Sequence, residues 1–488
     1  MRVGFPMVLI FSLLIISGKS FSQTQSGSFT VTGAGYSTAV VTDYQCVGLN
    51  PANLGWKRNK HIMNIGFGES SVSIYSEPLK RALVDDLFNN NKSFSSGEKQ
   101  EAVTNFTDAK LQMEGNVGAV GISFQDDKVG GFGFTIRERM MWNSNLNKES
   151  ADILFNGYNA AYFDTLVVDF ESGDTVGISF NPKMVTDLFE GTRLEVLWFR
   201  EYNFSYGRSI INRENFAMYG GIGFKYIEGY SVFNYTYKDG VLRAFSALNP
   251  TMGVDYGADS PSKIDNNEYQ AVGKGWGLDF GLSVLLFKNL RVAVSVTDFG
   301  KINWDGNVYK GESAVLSDIQ TGGINNYNIF ELQETLSADD MKWGEWEGLE
   351  NKETELPINF RAGASYLLKN KFEFGTELYL PINEVPGAYD KIIVGFGTRI
   401  SPVKWFRFSA GVVSGGATGT NIPMGISFFP FNNKSFSWEL GVAVKDISTY
   451  FSQDKPTISY AMGLLRFSFG SLEKESRFED SNDDMMGN

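Results

Sequence analysis

From Gly281 to Thr297 the chain reads GLSVLLFKNLRVAVSVT, two alternating stretches joined by a tight polar turn. In the second stretch Leu290, Val292, Val294 and Val296 share one side, and Arg291, Ala293, Ser295 and Thr297 the other. That period of two belongs to a β-strand. An apolar face opposite a polar one admits two architectures. A soluble sandwich buries the apolar face against a second sheet, whereas a membrane barrel turns it to lipid and keeps the polar face for its lumen.

The pattern recurs often enough to choose. Fourteen spans of strand character lie near 61–75, 110–125, 130–143, 193–206, 215–228, 275–287, 290–300, 357–368, 371–381, 391–400, 404–414, 421–430, 436–446 and 457–469. An even number is what an antiparallel single-chain barrel with both ends on one side requires. From the second span onward every other link is short: Asp126 to Val129, Gly207 to Glu214, Lys288-Asn289, Lys369-Asn370, Ser401 to Val403 and Phe431 to Ser435. The intervening links 76–109, 144–192, 229–274 and 301–356 are long, and 382–390, 415–420 and 447–456 are of middling length. Short periplasmic turns facing long extracellular loops are the asymmetry a membrane imposes.

Length and targeting agree. The mature chain exceeds 450 residues, more than one soluble core usually holds but ordinary for a large membrane barrel. Its aromatic content is 14%, with 40 Phe and 21 Tyr beside 53 Gly, which suits strands carrying interfacial aromatic girdles. Arg2, the apolar run Phe5 to Ile16 and Ser20-Phe21-Ser22 before Gln23 form a secretory signal, removed from the mature protein. No later window has the roughly 20 apolar residues of a membrane helix, so a membrane location demands a barrel. The expected location is the outer membrane of a Gram-negative cell, with outer-membrane lipid, lipopolysaccharide and the outer-membrane assembly machinery as partners.

Charge and chemistry exclude several classes. The net charge of −13 becomes −15 once Arg2 and Lys19 leave with the signal, so nucleic acid is not an expected partner. The single cysteine, Cys46, permits no intramolecular disulfide and no cysteine metal cluster. One histidine, His61, rules out multi-histidine metal sites, and no G-x-S-x-G elbow accompanies it. Neither an enzyme nor a cofactor is expected.

Alternation places charge inside. Phe406, Phe408, Ala410 and Val412 oppose Trp405, Arg407 and Ser409, while Phe436, Trp438, Leu440 and Val442 oppose Ser437 and Glu439. An Arg or Lys facing mid-bilayer lipid costs about 2 to 4 kcal/mol, so the lumen is the expected side. Arg291, Glu373, Arg399, Arg407, Glu439 and Arg466 then fall toward the periplasmic half of the lumen as a ring of charge. They would pair with one another, contact a substrate or latch a plug. On the last span, Ile458, Tyr460, Met462 and Leu464 are an expected apolar lumen face, with Leu465, Phe467 and Phe469 as the rival outward face.

Outside the wall, residues 23–60 would leave Tyr36, Val40, Val41, Tyr44, Leu54 and Trp56 in water if they hung free. They are expected to fold inside the lumen as a plug. Loop 76–109 carries helix-like stretches at Pro78 to Phe88 and Gly97 to Phe106. Loop 301–356 has twelve acidic and four basic residues, with Trp304, Trp343 and Trp346. The end, Ser471 to Asn488, is acidic and reads as a disordered periplasmic tail.

Several strings bear a resemblance. Asn50-Pro51-Ala52-Asn53-Leu54 resembles the NPAxL element of the FadL-like outer-membrane transporters, where it lies in an N-terminal hatch inside a fourteen-stranded barrel. REYNFSYGR at 200–208, GGIGFKYIEGYS at 220–231 and GWGLDFGLSVLLF followed by VAVSVTDFGKINW, ending at Trp304, resemble an uncharacterised Bacteroidota family of outer-membrane barrels, a domain of unknown function. The resemblance implies that Asn50, Pro51, Ala52 and Leu54 belong to a hatch and that hydrophobic small molecules leave near it. Here Phe467 and Phe469 are followed by 19 further residues, a departure from barrels that end on an aromatic strand.

The expectation is thus an all-β transmembrane antiparallel barrel of about 14 strands with long extracellular loops. It divides into signal 1–22, N-terminal hatch or plug 23–60, barrel 61–470 and acidic tail 471–488. The expected function is passive passage of small hydrophobic compounds, and the alternative is a non-transporting structural or secretion barrel that binds other envelope proteins.

Overall fold

The computed structural model describes residues 28–56, 61–79, 92–126, 128–168, 173–327, 344–369, 371–389, 391–416, 419–452 and 457–470. The expected signal 1–22, most of the helix-like stretch Pro78 to Phe88, Trp343 and the tail 471–488 lie outside the described residues.

The wall consists of β1 (Met63–Ser76), β2 (Lys110–Asp126), β3 (Gly130–Asn145), β4 (Arg193–Arg213), β5 (Phe216–Lys238), β6 (Gly273–Leu286) and β7 (Leu290–Trp304). It continues with β8 (Asn359–Leu368), β9 (Phe372–Pro381), β10 (Ile393–Val403), β11 (Phe406–Gly415), β12 (Met424–Asn432), β13 (Phe436–Val444) and β14 (Thr457–Phe469). Each strand pairs antiparallel with its neighbour in sequence, and β14 returns to β1 from Met63↔Phe469 to Tyr75↔Thr457. Fourteen strands therefore close on themselves, which leaves no open edge for lipid to meet.

The outer face is apolar. Phe204 is 55% exposed, Phe396 60% and Phe374 50%, and Phe67, Ile122, Phe280, Val412 and Leu465 accompany them. A belt this large would aggregate in water, and lipid is the solvent it fits. The inner face carries the polar alternates, among them Asn203, Ser283 and Arg291, all buried.

Two expected boundaries move. The link Gly207 to Glu214 shrinks to the turn at Glu214-Asn215, because β4 and β5 keep pairing as far as Arg213↔Phe216. At the other end β5 runs to Lys238 and folds back through the strand Val241–Leu248. Val308–Glu312 pairs with that strand and Glu345–Gly348 pairs in turn with Val308–Glu312, so the sheet continues beyond the barrel strands there. Beside it Thr165–Val168, Thr175–Met184 and Val315–Ile319 make a small separate sheet.

Two helices brace these loops. The first, α1 (Ser96–Phe106), starts at a capping box in which Ser95 and Glu98 satisfy each other's backbone N–H groups. The second, α2 (Lys148–Asn156), starts at Asn147, whose side chain accepts from Ser150 N at 2.8 Å. Val103, Phe106, Ile153 and Phe155 from the helices join Ile74, Leu111 and Tyr235 from the strand ends in one buried apolar cluster.

On β14 the expected apolar lumen face is corrected. Ser459, Ala461 and Gly463 point inward, and Tyr460, Met462 and Leu464 outward. The side chain of Ile458 lies outside the described residues. The β13–β14 register slips by one residue between Glu439 and Gly441, so Leu464 and Leu465 both face out and Arg466 returns to the lumen. Both rival apolar faces therefore meet lipid, one above the bulge and one below it.

Candidate functional site

The lumen is occupied by residues 28–56, nearly all of them buried. This inner segment circles the wall, and the wall admits it by omitting side chains. A Cβ on Gly441 or Gly463 would strike Phe29, one on Gly375 Tyr36, one on Gly66 or Gly121 Tyr44, and one on Gly221 the backbone of Pro51-Ala52. Every barrel strand except β7 places a glycine against the inner segment, and β7 supplies Ala293. Only a hydrogen lets two backbones approach this closely.

The hatch residues implied by the resemblance lie at the centre of this contact. Asn50 is fully buried; its amide donates to Thr38 O (3.1 Å) and Ser283 Oγ (3.0 Å), and its Oδ1 accepts from Ala52 N (3.2 Å). Ser283 in turn donates to Asn53 Oδ1 at 2.6 Å. Pro51 opens a single 3₁₀ turn through Gly55 that carries Ala52 and Leu54, both buried. The carbonyls of Leu54 and Trp56 accept from Gln125. The run thus spends its polar groups on the wall, as a buried turn must.

The six residues expected as a ring occupy β7, β9, β10, β11, β13 and β14 and form two groups. Arg291 pairs with Glu373 at 2.6 Å, and Arg399 stands 4.0 Å from the same carboxylate. Arg407 pairs with Glu439 at 3.0 Å, and Arg466 pairs with Glu439 and with Asp43 of the inner segment, the latter at 2.6 Å. The structure joins Arg291 to Trp56, with the guanidinium 4.1 Å over the ring, and Arg399 to Thr30 O (2.5 Å) and Tyr36. Half of the wall, not its full circumference, carries these charges, and three of the four arginines reach the inner segment.

Sequence alternation missed a second, deeper network. Glu201 holds Arg137 at 2.5 Å and Arg139 at 3.2 Å; Arg139 reaches Asp298 at 3.1 Å, and Lys225 contacts Asp298 and, at 3.0 Å, Asp279. All are buried. Asp298 enters because β7 bulges between Val296 and Phe299, and its φ of 63° turns two successive residues inward. Its backbone N–H donates to Asp279 at 3.0 Å. The signal in the sequence was Asp298 standing where alternation calls for an apolar residue.

A third anchor joins wall and segment directly. The Glu377 carboxylate accepts from Ser37 N and Oγ, from Thr38 N (3.0 Å) and Oγ1 (2.9 Å), and from Arg361 at 3.1 Å. Above it, the loop after β9 folds inward. Gly387 lies against Met141 and Leu197, and Tyr389 packs edge-on to Tyr379 at 5.2 Å. That loop crosses from β9 to β3 and β4, roughly the far side of the barrel.

Beside Tyr44 a cavity of about 40 Å³ is lined by Gln45, Gly66, Glu69, Gly118, Thr135 and Arg137, room for a water or two. The Glu69 carboxylate accepts from the Tyr44 hydroxyl at 2.5 Å and from Gln45 Nε2 at 2.9 Å. The wall beside it is irregular: β1 pairs Phe67↔Leu465 and next Ser70↔Met462, and β2 shifts register between Gly118 and Val120. Gly68, at φ 63°, has open space around it. Cys46 is fully buried, and burial followed by the nearby Asp43 pushes its thiol well above the usual range. His61 Nε2 lies 3.1 Å from Asn433 O at the short-turn end.

A closed antiparallel barrel with an apolar outside and a charge-lined, filled inside defines a transmembrane β-barrel of the outer-membrane type. The chain belongs to the Family of unknown function (DUF5723), whose model matches residues 51–433. No curated protein matches it. Among solved structures it is similar to the Pseudomonas putida toluene transporter TodX, at 10% identity and a TM-score of 0.42, covering 93% of this chain and 100% of that one. It is likewise similar to the Ralstonia pickettii toluene transporter TbuX, at 9% identity and 0.43 over 93% and 99%. A Pseudomonas aeruginosa FadL homologue gives 9% and 0.39 over 93% and 100%.

Proposed function

We propose that this protein passes small hydrophobic compounds across the outer membrane, and that they leave the lumen sideways through the wall at the seam of β14, β1 and β2. The observation that carries the proposal is the coincidence at Gly68. There the ladder skips pairs on the β14 side, the register slips in β2, an internal cavity lies directly behind, and Phe67, Ile122, Leu464 and Leu465 make the outer surface apolar. An axial path would have to displace the whole inner segment with its buried ion pairs, which is costly. A sideways path needs only local loosening of a ladder already short of hydrogen bonds. On this reading Asn50, Pro51, Ala52 and Leu54 act as a hatch, and Arg291, Glu373, Arg399, Arg407, Glu439 and Arg466 latch it.

Uptake of a labelled fatty acid and a labelled aromatic hydrocarbon into proteoliposomes tests this. Folded protein should exceed empty liposomes, and Ala119→Phe, which fills the outer notch beside Gly68, should lower the rate. Uptake equal to the empty control sinks the proposal. The second function, a structural or secretion barrel for envelope partners, then takes its place. It is favoured by the filled lumen and by Leu166, Val167, Val168 and Phe180 exposed on the extracellular sheet, Phe180 at 75%.

A further inference from the structure

The two ends of the barrel treat exposed charge differently. On the long-loop side exposed lysines stand against carboxylates: Lys92 with Glu98 at 3.2 Å, Lys301 with Glu353 at 2.6 Å and Lys310 with Glu312 at 2.5 Å. At the other end Lys128, Arg213, Lys288, Lys369, Lys404 and Lys434 place one exposed cation at each of the six short turns. Of these, Lys128, Arg213, Lys369, Lys404 and Lys434 make no ion pair among the described residues. The carboxylates among the described residues of the turns are Asp126 and Glu214. Asp126 is spent on its own turn, accepting from Lys128 N (2.8 Å) and Val129 N (2.9 Å). A chain of net charge −13 therefore carries a cationic rim at one end.

The rim lies at the level of an apolar collar. Phe287, 72% exposed, precedes Lys288, and Trp405, 59% exposed, follows Lys404. Ile210, Phe372 and Phe431 are exposed beside three of the other turns. Rings next to lysines at strand ends fit the boundary between hydrocarbon and headgroups, where the ring meets acyl chain and the long cation reaches the polar layer. Distribution selects the occupant. A discrete macromolecular partner is met by a patch on one side, whereas these cations stand at six of the seven strand junctions around this end. We infer that the rim binds anionic phospholipid headgroups of the leaflet that faces the short turns, and so selects the lipids that surround the barrel there.

Spacing sets the salt range over which this acts. Fourteen strands about 4.8 Å apart and tilted about 40° give a rim roughly 88 Å around, with successive junctions about 13 Å apart. At about 20 mM salt the screening length is roughly 20 Å, and neighbouring turns attract the same headgroups together. At about 500 mM it is roughly 4 Å, and each cation acts alone. A lone exposed cation holds an anion weakly. The rim therefore sets which headgroups gather, while the apolar belt holds the barrel in the bilayer. The inference stands independently of the passage reading.

Electron spin resonance of the full-length protein in bilayers, doped in turn with spin-labelled phosphatidylglycerol and spin-labelled phosphatidylcholine, tests it by the fraction of each lipid immobilised on the barrel. At about 20 mM salt phosphatidylglycerol should associate about three-fold more strongly than phosphatidylcholine, and at about 500 mM the two should be nearly equal. The exposed triple variant Lys369→Gln, Lys404→Gln, Lys434→Gln should lose about half of the low-salt preference while the barrel keeps its folded, heat-modifiable migration. A variant of the same net charge on the long-loop side, Lys263→Gln, Lys301→Gln, Lys310→Gln, should keep the preference. Equal association of the two lipids at low salt overturns the inference, as does a preference that survives the rim variant or falls equally in both variants. Loss of the preference when inorganic phosphate replaces chloride at equal ionic strength also overturns it, since a free anion then takes the rim.

Discussion

Replacing Gly221 on β5 by alanine tests whether the wall and the inner segment form one packed unit. The new methyl would meet the backbone of Ala52 and Pro51, including Pro51 O at 2.5 Å, where ordinary contact begins about 1 Å farther out. Backbone on both sides cannot rotate away. The Asn50 to Ala52 turn must instead withdraw, straining the 3.0 Å bond from Asn50 to Ser283. Overpacking of this kind costs about 1 to 3 kcal/mol, and the gain from replacing a strand glycine returns about 0.5 to 1. The net expectation is a loss of about 1 to 2 kcal/mol. Gly115→Ala on β2 is the control, because its methyl would meet only Met140 Cβ at 3.8 Å. Urea unfolding in lipid, followed by heat-modifiable migration, should rank Gly221→Ala below the parent and Gly115→Ala level with or above it. Equal stability of the two variants would refute the packing argument.

Glu377→Ala leaves Arg361 and the Ser37 and Thr38 donors buried without their acceptor, so unfolding free energy should fall by about 3 to 5 kcal/mol. Lys225→Met strands Asp279 and Asp298 in the same way and should cost a similar amount in the same assay. The Cys46 thiol, fully buried and with its ionisation opposed by burial, should resist maleimide in the folded protein and react on denaturation; prompt labelling of the native barrel would contradict the packed inner segment. Hydrogen bonds from the Ser95 backbone and hydroxyl and from Lys92 hold the Glu98 carboxyl down at about 2. The capping of α1 is therefore complete above the ordinary carboxylate range and is lost as pH falls through about 2. Hydrogen exchange across residues 96–106 should stay slow at pH 4 and accelerate only below that; Glu98→Gln should remove the pH dependence.

The walls were legible because each strand turns the same face to lipid over most of its length. Alternation located all fourteen, and the hairpin at Gly281 to Thr297 pairs as read, with Val292↔Val284 and Val294↔Leu282 on the outside. Bulges limited the rest. A single extra residue exchanges the two faces without altering composition, so Asp298 was overlooked and Tyr460, Met462 and Leu464 were assigned to the lumen. Arg291, Glu373, Arg399 and Arg407 were found because their strands are regular around them, and Glu439 and Arg466 because they pair with each other before the β13–β14 register slips. Arg137, Glu201 and Lys225 also keep the expected alternation on neighbouring strands, Arg137 directly opposite Glu201, but the network closes only through Asp298 of β7, which reaches Arg139 on β3 and Lys225 on β5. The Tyr389 loop was invisible for the same reason: its contacts lie across the barrel.

The glycine track around the interior also bears on the order of events during biogenesis. A segment that touches every strand cannot be threaded through a finished cylinder without clearing each of those contacts in turn. It must lie in the nascent groove while the sheet is still open, and the last ladder to zip is then the one between β14 and β1. A chain lacking residues 28–56 should therefore stall with that final seam unsealed.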